Sequence, residues 1–355
     1  ALFTGDTNTS YVMVAQRMFT SVDSFPFMAV PFFILAGELM ERGGISSRLI
    51  KFAKVLLGKL PASLAVITTA ASAFFGAISG SNPATVAAIG GLMHPAMVQA
   101  GYPKDRAAAV AAASGTLGVV IPPSIPMVTY SITASVSIGT MFIAGFVPGL
   151  LLAIALIAVN ILTCSKYERK LEEDGTTFFK AFKEAIWALI MPLIILGGIY
   201  GGIFTPTEAA AVAVVYGFIV GHFVYKELSF AKLPQILIDS AISSAVVMLI
   251  IMGASIFSWI IVSAHNKFMV LFLVNLVLLA AGCVLDASSA IIVLTPLLLP
   301  IVTVFNVNPL HFGIIMVVNL AIGLITPPVG LDLYVAAGIA KISLEDISRA
   351  VLPLI

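Results

Sequence analysis

"FFGAISGSNPATVAAIG" (residues 74–90) interrupts a long apolar stretch with small polar residues, a glycine and a proline. The residues at the break are Ser79, Gly80, Ser81, Asn82 and Pro83. Irregular backbone inside a lipid bilayer leaves N–H and C=O groups unpaired, which costs several kcal/mol for each group. A membrane-spanning chain keeps such a break only where protein or a water-filled cavity satisfies those groups, so this stretch indicates a functional position.

The composition places this chain in a membrane. Of its 355 residues, 60% are hydrophobic and 10% are charged, whereas about a quarter of the residues in soluble domains are charged. Nearly uncharged runs at 107–164, 185–225 and 240–265 each exceed the roughly 20 residues that a spanning helix needs. Because the runs are continuous rather than alternating, we predict an all-α integral membrane protein in the lipid bilayer. A net charge of +1 gives no reason to expect a nucleic-acid partner.

An internal repeat organises the chain. Shifting the sequence by 205 residues superposes four prolines without a gap: Pro95, Pro122, Pro123 and Pro148 fall on Pro300, Pro327, Pro328 and Pro353. The same shift lays residues 79–95 over "VLDASSAIIVLTPLLLP" (284–300). Each half therefore contains an apolar hairpin with a small polar tip, followed by a helix that is interrupted at a double proline.

The basic residues indicate the orientation. If the hairpins 61–100 and 268–305 each enter and return, all of the 18 lysines and arginines except Arg17 and Lys267 lie in connections on one face. By the positive-inside rule that face is cytoplasmic. The two hairpins then start from opposite faces, so we predict inverted repeats with two re-entrant helical hairpins and two discontinuous helices, an architecture typical of secondary transporters.

These patterns divide the chain into three parts. We predict a first inverted repeat at 1–164, with an amphipathic arm helix at 45–60, a hairpin at 61–100 and a broken helix at 106–137. A linker and a connecting span follow at 165–205. The second repeat covers 206–355, with a hairpin at 268–305 and a broken helix at 309–340. Since the chain ends a few residues into a new apolar run, we expect it to be part of a longer protein.

The hairpin tips and the double prolines predict ligand sites. Hydroxyls and freed carbonyls are hard oxygen ligands that suit a small cation, and free helix N-termini after Pro83 and Ala287 suit an anion. The prolines lack N–H groups, so the backbone near Val120 and Thr326 has unpaired carbonyls. We predict one cation site in each half. An ordinary interhelical turn of small residues is the alternative. The tip hydroxyls concerned belong to Ser79, Ser81, Ser288 and Ser289.

Two carboxylates fall deep in the predicted membrane region. Asp286 lies at the second tip and Asp332 lies just after the second double proline. An intramembrane carboxylate indicates a functional site, although Asp332 has the alternative of capping the resumed helix. Glu208 is predicted to be an acid in the first turn of a helix, and Glu38 and Glu41 are expected at the cytoplasmic interface.

Five motifs carry a resemblance to a known family: "FPFMAVPFFILAGELMERGGI" (25–45), "GAISGSNPATVAAIG" (76–90), "GTLGVVIPPSIPMVTY" (115–130), "LTPLLLPI" (294–301) and "NLAIGLITPPVGLDLYVAAGIA" (319–340). In this order, over essentially the whole chain, they resemble the large membrane subunit of tripartite ATP-independent periplasmic (TRAP) transporters. The resemblance implies a sodium-driven importer of organic acids in the bacterial inner membrane, with an elevator-type movement. It also implies two partners, a periplasmic substrate-binding protein and a small membrane subunit.

The resemblance also implies roles for residues. A first Na⁺ site would use the first tip and the first broken helix, through Ser79, Gly80, Ser81, Asn82, Pro83, Gly115, Gly118 and Val120. A second would use Asp286, Ser288, Ser289, Gly323, Thr326 and Pro327. The substrate carboxylate would lie between the tips, with Ser81, Asn82, Pro83, Ser288, Ser289 and Asp332 as the substrate-binding residues.

Two features bear on the details of this resemblance. The second half passes from "IIVSAH" directly to "NKFMVLF" without a second arm helix, so about twenty residues are expected to be missing between His265 and Asn266. The tip "SGSNPATVAAIG" resembles members that take acidic sugars such as sialic acid, with C4-dicarboxylates as the other substrate class.

Other functions are weaker predictions. A passive channel is an alternative to coupled transport. An intramembrane protease is another, but "GAISG" (76–80) has no histidine on a neighbouring span at a depth that would form a Ser–His dyad. We therefore do not expect an enzyme.

Overall fold

The fold is built from helices, with no strand among the described residues. The computed structural model describes residue 23 and residues 25–167, 177–257 and 267–355. The helices of the first half are α1 Ala29–Arg42, α2 Ile45–Leu57, α3 Ser63–Ser79, α4 Asn82–Thr85, α5 Gly91–Gln99, α6 Lys104–Gly115, α7 Leu117–Val120, α8 Ile125–Thr133 and α9 Ile138–Cys164. Those that follow are α10 Phe178–Tyr200, α11 Pro206–Ile219, α12 Leu233–Phe257, α13 Lys267–Val284, α14 Ala287–Val304, α15 Pro309–Gly323, α16 Leu331–Ala340 and α17 Leu344–Val351.

Short π-helical and 3₁₀-helical turns connect or follow several of these helices. Residues Val86–Gly90 form a π-helical turn that joins α4 to α5, and Val220–Val224 form another after α11. Three 3₁₀ turns occupy Phe25–Met28, Phe230–Lys232 and Leu352–Leu354. A π turn within a helix often marks a functional position, and here the first one directly follows the tip of the first hairpin.

Several helices have the length and composition of membrane spans. Four described helices qualify, Ile138–Cys164, Phe178–Tyr200, Pro206–Val224 and Ala287–Val304. The pair Lys104–Val120 and Ile125–Thr133 also qualifies together, with a bend of 41° at the first double proline. The predicted all-helical membrane class is therefore confirmed. The predicted re-entrance stays a prediction, since α14 is long enough to cross a membrane.

The helix bounds repeat with the 205-residue period of the sequence. When α3 is shifted by 205 residues it covers 268–284, which nearly coincides with α13 at Lys267–Val284. The same shift moves residues 82–99 onto the bounds of α14. The α6 start at 104 maps onto the α15 start at 309, and the 3₁₀ turn 25–28 maps onto that at 230–232. The inverted orientation and the predicted domain boundaries remain predictions, because the counterpart of 206–227 is residues 1–22, outside the described residues.

The predicted arm helix is present as α2 and packs against both α3 and α10. Its buried face contains Ile45, Leu49, Phe52 and Ala53, one helical turn apart, while its lysines point away. The Phe52 ring lies 5.8 Å from Phe74 of α3 and 6.0 Å from both Phe178 and Phe182 of α10. This helix therefore connects a hairpin to a membrane-length helix. The segment proposed to be missing between His265 and Asn266 lies outside the described residues.

Polar contacts hold the arm's first turns against the loop after α11. Arg48 Nη1 lies 2.7 Å from Glu227 Oε1, and its guanidinium carbon lies 3.8 Å from the centre of the Tyr225 ring. Burial raises the pKa of Tyr225 to about 12, so its hydroxyl stays protonated and donates to the Glu184 carbonyl at 2.8 Å. The arm is thus fixed to α10 and its neighbours by both charge and aromatic contacts.

Candidate functional site

The first tip is a tight backbone turn closed by its own hydroxyls. Gly80 has φ +62°, a left-handed conformation that favours glycine, and its N–H donates to Gly76 O at 2.9 Å. The Thr85 hydroxyl donates to Ser81 O at 2.7 Å and lies 3.1 Å from Ser79 Oγ. The chain can therefore turn between α3 and α4 without leaving the Ser81 carbonyl unpaired.

The first broken helix docks directly on this tip. Ile125 N donates to Gly80 O at 3.2 Å. A Cβ atom on Gly118 would stand 2.5 Å from Ser81 O, so the two backbones touch and only glycine fits there. The Ser124 hydroxyl donates to Val119 O at 2.6 Å, and this bond satisfies the carbonyl whose helical partner would have been the missing N–H of Pro123.

The second tip is organised by a carboxylate. Asp286 is the N-cap residue of α14, and its Oδ2 accepts from Ser288 N at 3.0 Å and from Ser289 N at 3.4 Å. At the helix N-terminus predicted after Ala287, these two amides therefore donate to the Asp286 side chain. The Ser289 hydroxyl is buried and has no hydrogen bond among the described residues.

The second broken helix repeats the contacts of the first. Gly330 N, the equivalent of Ile125 N, donates to Cys283 O at the end of α13 at 2.9 Å. Gly323 faces Gly282, where a Cβ on Gly323 would lie 2.6 Å from the Gly282 Cα. The Thr326 hydroxyl donates to Ile322 O at 2.7 Å within its own helix. Each half therefore brings one tip against one break.

Both tips line a single cavity of about 640 Å³. The first tip contributes Ser79 to Ser81 and Pro83, and the second contributes Asp286, Ser288 and Ser289. The opposite wall is formed by α1 and α12. A volume of this size accommodates a small organic molecule.

Equivalent residues of the two halves line this cavity. Under the 205-residue shift, six pairs of lining residues correspond, as Ser81 with Asp286, Pro83 with Ser288, Ala84 with Ser289, Pro126 with Leu331, Gly37 with Ile242 and Glu38 with Ser243. Equivalent segments of both halves therefore contribute to one cavity.

The charge of the wall is not symmetric. Glu38, Glu41 and Arg42 of α1 line the cavity. Arg42 Nε lies 3.3 Å from Glu38 Oε2, and the Arg42 Nη2 atom also pairs with Asp239 Oδ2 of α12. The sequence analysis placed Glu38 and Glu41 at the cytoplasmic interface but did not predict that they line the cavity, since the sequence does not reveal which helix lies beside the tips.

Two of the six predicted substrate-binding residues do not line the cavity. Asn82 and Asp332 are completely buried, and neither side chain has a hydrogen-bond partner of ordinary geometry among the described residues. The capping alternative for Asp332 is wrong, because α16 begins at the Gly330 N-cap without a side-chain cap. The Glu208 prediction is confirmed, since Glu208 Oε2 accepts from Thr205 N at 2.7 Å in a capping box.

The remaining predicted residues fall into two groups around the tips. Gly115 packs against Val86 of the π turn, and the Val120 carbonyl lies beside Gly145 and Gly149 of α9. Sequence reasoning missed Thr85 and Ser124, which close the first tip and the first break. Their spacing, four residues after Ser81 and one after the double proline, was the available signal. Ion binding at either group stays a prediction.

Comparisons with known proteins agree with this architecture. The sequence matches the family "Tripartite ATP-independent periplasmic transporter, DctM component" over residues 1–355. It is 49% identical to an isethionate TRAP transporter permease protein DctMQ of Oleidesulfovibrio alaskensis, covering 96% of this chain and 56% of that protein. It is 41% identical to a C4-dicarboxylate TRAP transporter large permease protein DctM of Rhodobacter capsulatus, covering 96% and 84%.

Two more comparisons add a sequence relative with another substrate and a solved structure. The chain is 37% identical to a sialic acid TRAP transporter large permease protein SiaM of Vibrio cholerae, covering 98% of this chain and 85% of that protein. The crystal structure of the Alcanivorax borkumensis YdaH transporter shares the fold, with a TM-score of 0.66, 13% identity and coverage of 97% of this chain and 84% of that one. At this identity the likeness concerns the fold alone.

The fold and the shared cavity define a helical membrane permease with an internal repeat. The chain belongs to the DctM component family, the large membrane subunits of TRAP transporters. The family resemblance predicted from the motifs is therefore confirmed. The relatives compared above are permeases. The prediction that this chain is not an enzyme is therefore also confirmed.

Proposed function

We propose that this chain is the membrane pathway of a sodium-coupled importer of small organic anions in the bacterial inner membrane. The observation that carries the proposal is the single cavity lined by one tip from each half. Discontinuous helices that meet at a repeat interface are the usual binding sites of secondary transporters. In this proposal a periplasmic binding protein delivers the substrate and a small membrane subunit supports the scaffold.

The substrate class follows from the relatives and from the cavity. Isethionate, C4-dicarboxylates and sialic acid, named for the relatives, are all organic acids. Serine hydroxyls at both tips offer hydrogen-bond donors to a carboxylate or a sulfonate. The higher identity to the isethionate permease than to the sialic acid permease favours a small acid over an acidic sugar.

Sodium coupling is proposed for the two tip-and-break pairs. Each pair joins hydroxyls and backbone carbonyls, which are the hard oxygen ligands that a small cation prefers. In the first half these come from Ser79, Ser81, Gly118 and Val120, and in the second from Asp286, Ser288, Gly323 and Thr326. Sodium bound there would fix the tips in the geometry that the substrate requires.

The elevator movement is proposed from the position of the arm. Helix α2 contacts α3 of the first hairpin on one side and α10 on the other. A hairpin that moves relative to α10 must move against this helix. In the proposal, α1 and α10 to α12 form the scaffold and the hairpins with the broken helices form the moving unit.

Uptake by proteoliposomes tests the function. The intact membrane complex is reconstituted with its binding protein, and labelled isethionate, succinate and sialic acid are offered with and without an inward sodium gradient. We expect saturable uptake of one acid that needs both the gradient and the binding protein. Uptake that rises linearly with concentration and ignores sodium would indicate a passive channel. An intramembrane protease is disfavoured by the cavity lining, which contains no histidine among the described residues.

A further inference from the structure

The most unusual group of the molecule is a buried polar pair behind the cavity wall. Asn82 and Asp332 are both 0% exposed. Their four terminal polar atoms, Asn82 Nδ2 and Oδ1 and both Asp332 carboxylate oxygens, have no hydrogen-bond partner among the described residues. The two side chains lie close enough to interact, although no bond of ordinary geometry joins them. Native proteins rarely leave such groups unpaired.

The pair joins the two halves of the molecule. Asn82 belongs to the first tip, between Ser81 and Pro83, which both line the cavity. Asp332 lies in the first turn of α16, directly after Leu331, which also lines it. Helix α16 packs on α4 and on the π turn that follows. The pair is therefore one residue away from the cavity, at the contact between the first hairpin and the second broken helix.

A bound cation would stabilise the charge of the Asp332 carboxylate. An ionised carboxylate without partners in a dry interior is very unfavourable. The Asp332 carboxylate has no ion-pair partner among the described residues, and the nearby charge that acts on it is that of Asp286, which has the same sign. Asp286 itself is occupied by the amides of Ser288 and Ser289. A positive ligand beside Asp332 would offset both effects.

We propose that Asp332 and Asn82 together form a third sodium site, which joins the two halves. This reassigns Asn82, which the family resemblance placed in the first Na⁺ site, and Asp332, which it placed with the substrate. The Asp332 carboxylate would supply the charge and Asn82 Oδ1 a neutral oxygen, both hard ligands for an alkali cation. This inference rests on the proposed sodium coupling.

Sodium binding without substrate tests the site. The purified full-length complex is equilibrated with ²²Na⁺, with choline chloride holding the ionic strength constant, and bound sodium is counted per protein. We expect Asp332→Asn to bind one ion fewer than the native protein. Asn82→Ala should keep the ion but weaken its affinity about tenfold, which also lowers the sodium-dependent rise in melting temperature. Asp105→Asn is the control. Asp105 lies in the first turn of α6, whereas Gly115 is the last residue of that helix, ten residues or about 15 Å further along its axis.

The outcomes separate this site from the proposed function. If the native protein binds sodium and Asp332→Asn binds just as much, the third site is overturned while sodium coupling stands, and Asp332 carries a proton instead. If the native protein binds no sodium, both proposals fail. If Asp332→Asn does not fold, unchanged sodium affinity in Asn82→Ala overturns the site, and a tenfold loss supports it.

Discussion

Single glycines determine how closely the first tip meets the first break. A Cβ on Gly118 would stand 2.5 Å from Ser81 O and 2.6 Å from Thr85 Oγ1, and one on Gly76 would stand 2.7 Å from the Gly118 Cα. Real Cβ atoms do not approach other atoms this closely. The backbones of the tip and of the break can therefore approach each other this closely only because these side chains are absent.

Gly118→Ala should separate the tip from the break. The added methyl group must displace the Ser81 carbonyl, at a cost of about 1–3 kcal/mol for overpacking. We expect a lower melting temperature in detergent and a weaker sodium affinity. Gly197→Ala in α10 is the control, because no atom lies within 4 Å of its Cβ position. Equal sodium affinities for the two variants would contradict the role given to this contact.

The arm helix α2 connects elements that are distant in the sequence. Phe52 is almost completely buried and touches Phe74 of α3 together with Phe178 and Phe182 of α10. Lys51 Nζ lies 3.5 Å from Glu184 Oε2 of α10, but this pair is exposed and contributes little. The aromatic contact, not the ion pair, holds the arm between the hairpin and α10.

Phe52→Ala should loosen the arm. Removal of a buried phenyl ring costs about 3–5 kcal/mol, and here it removes the contact from both neighbours at once. We expect a clear loss of thermal stability, measured in detergent by tryptophan fluorescence. Phe179→Ala is the matched control, because Phe179 is 82% exposed on α10 and its loss should change stability by less than about 0.5 kcal/mol. Equal losses in both variants would exclude this role for Phe52.

The sequence predicted the elements better than the contacts between them. The period of the prolines and the amphipathic pattern at 45–60 predicted the hairpins, the broken helices and the arm, since both signals can be read directly from the order of residues. The function of Asp286 as a cap for α14 was not predicted, because capping depends on the backbone angles of one residue. The burial of Asp332 beside Asn82 was not predicted either, since it arises from the packing of two segments 250 residues apart.

The whole molecule is two similar halves around one cavity, with α1 and α12 as the wall opposite the tips. Gly37 of α1 is the place where this wall touches the first tip, since its Cβ position lies 3.7 Å from the Ser79 Cβ. If the hairpins move as the elevator proposal requires, this contact must break in every cycle. If they do not, the contact can be permanent.

A disulfide across this contact distinguishes the two cases. The distance falls within the roughly 3.5–4.5 Å that a disulfide needs between Cβ atoms. In a background with Cys164 and Cys283 replaced by alanine, Gly37→Cys with Ser79→Cys should crosslink on oxidation, and transport should stop until a reductant is added. If the reduced variant does not transport, the crosslinking yield should still fall when sodium and substrate are added. Full transport by the oxidised protein would rule out movement at this contact.

The contribution of both halves to one cavity also bears on how a bound molecule lies within it. Equivalent segments line the cavity, but the residues at equivalent positions differ, so the two ends of a bound molecule can meet different side chains. Ser81 of the first tip corresponds to Asp286 of the second, and Glu38 of α1 corresponds to Ser243 of α12. A succinate ion has two identical ends, so its two directions of binding are equivalent. Isethionate has a sulfonate at one end and a hydroxyl at the other, so its two directions of binding differ in free energy. The polarity of bound isethionate would thus be set by the residues that differ between the two halves.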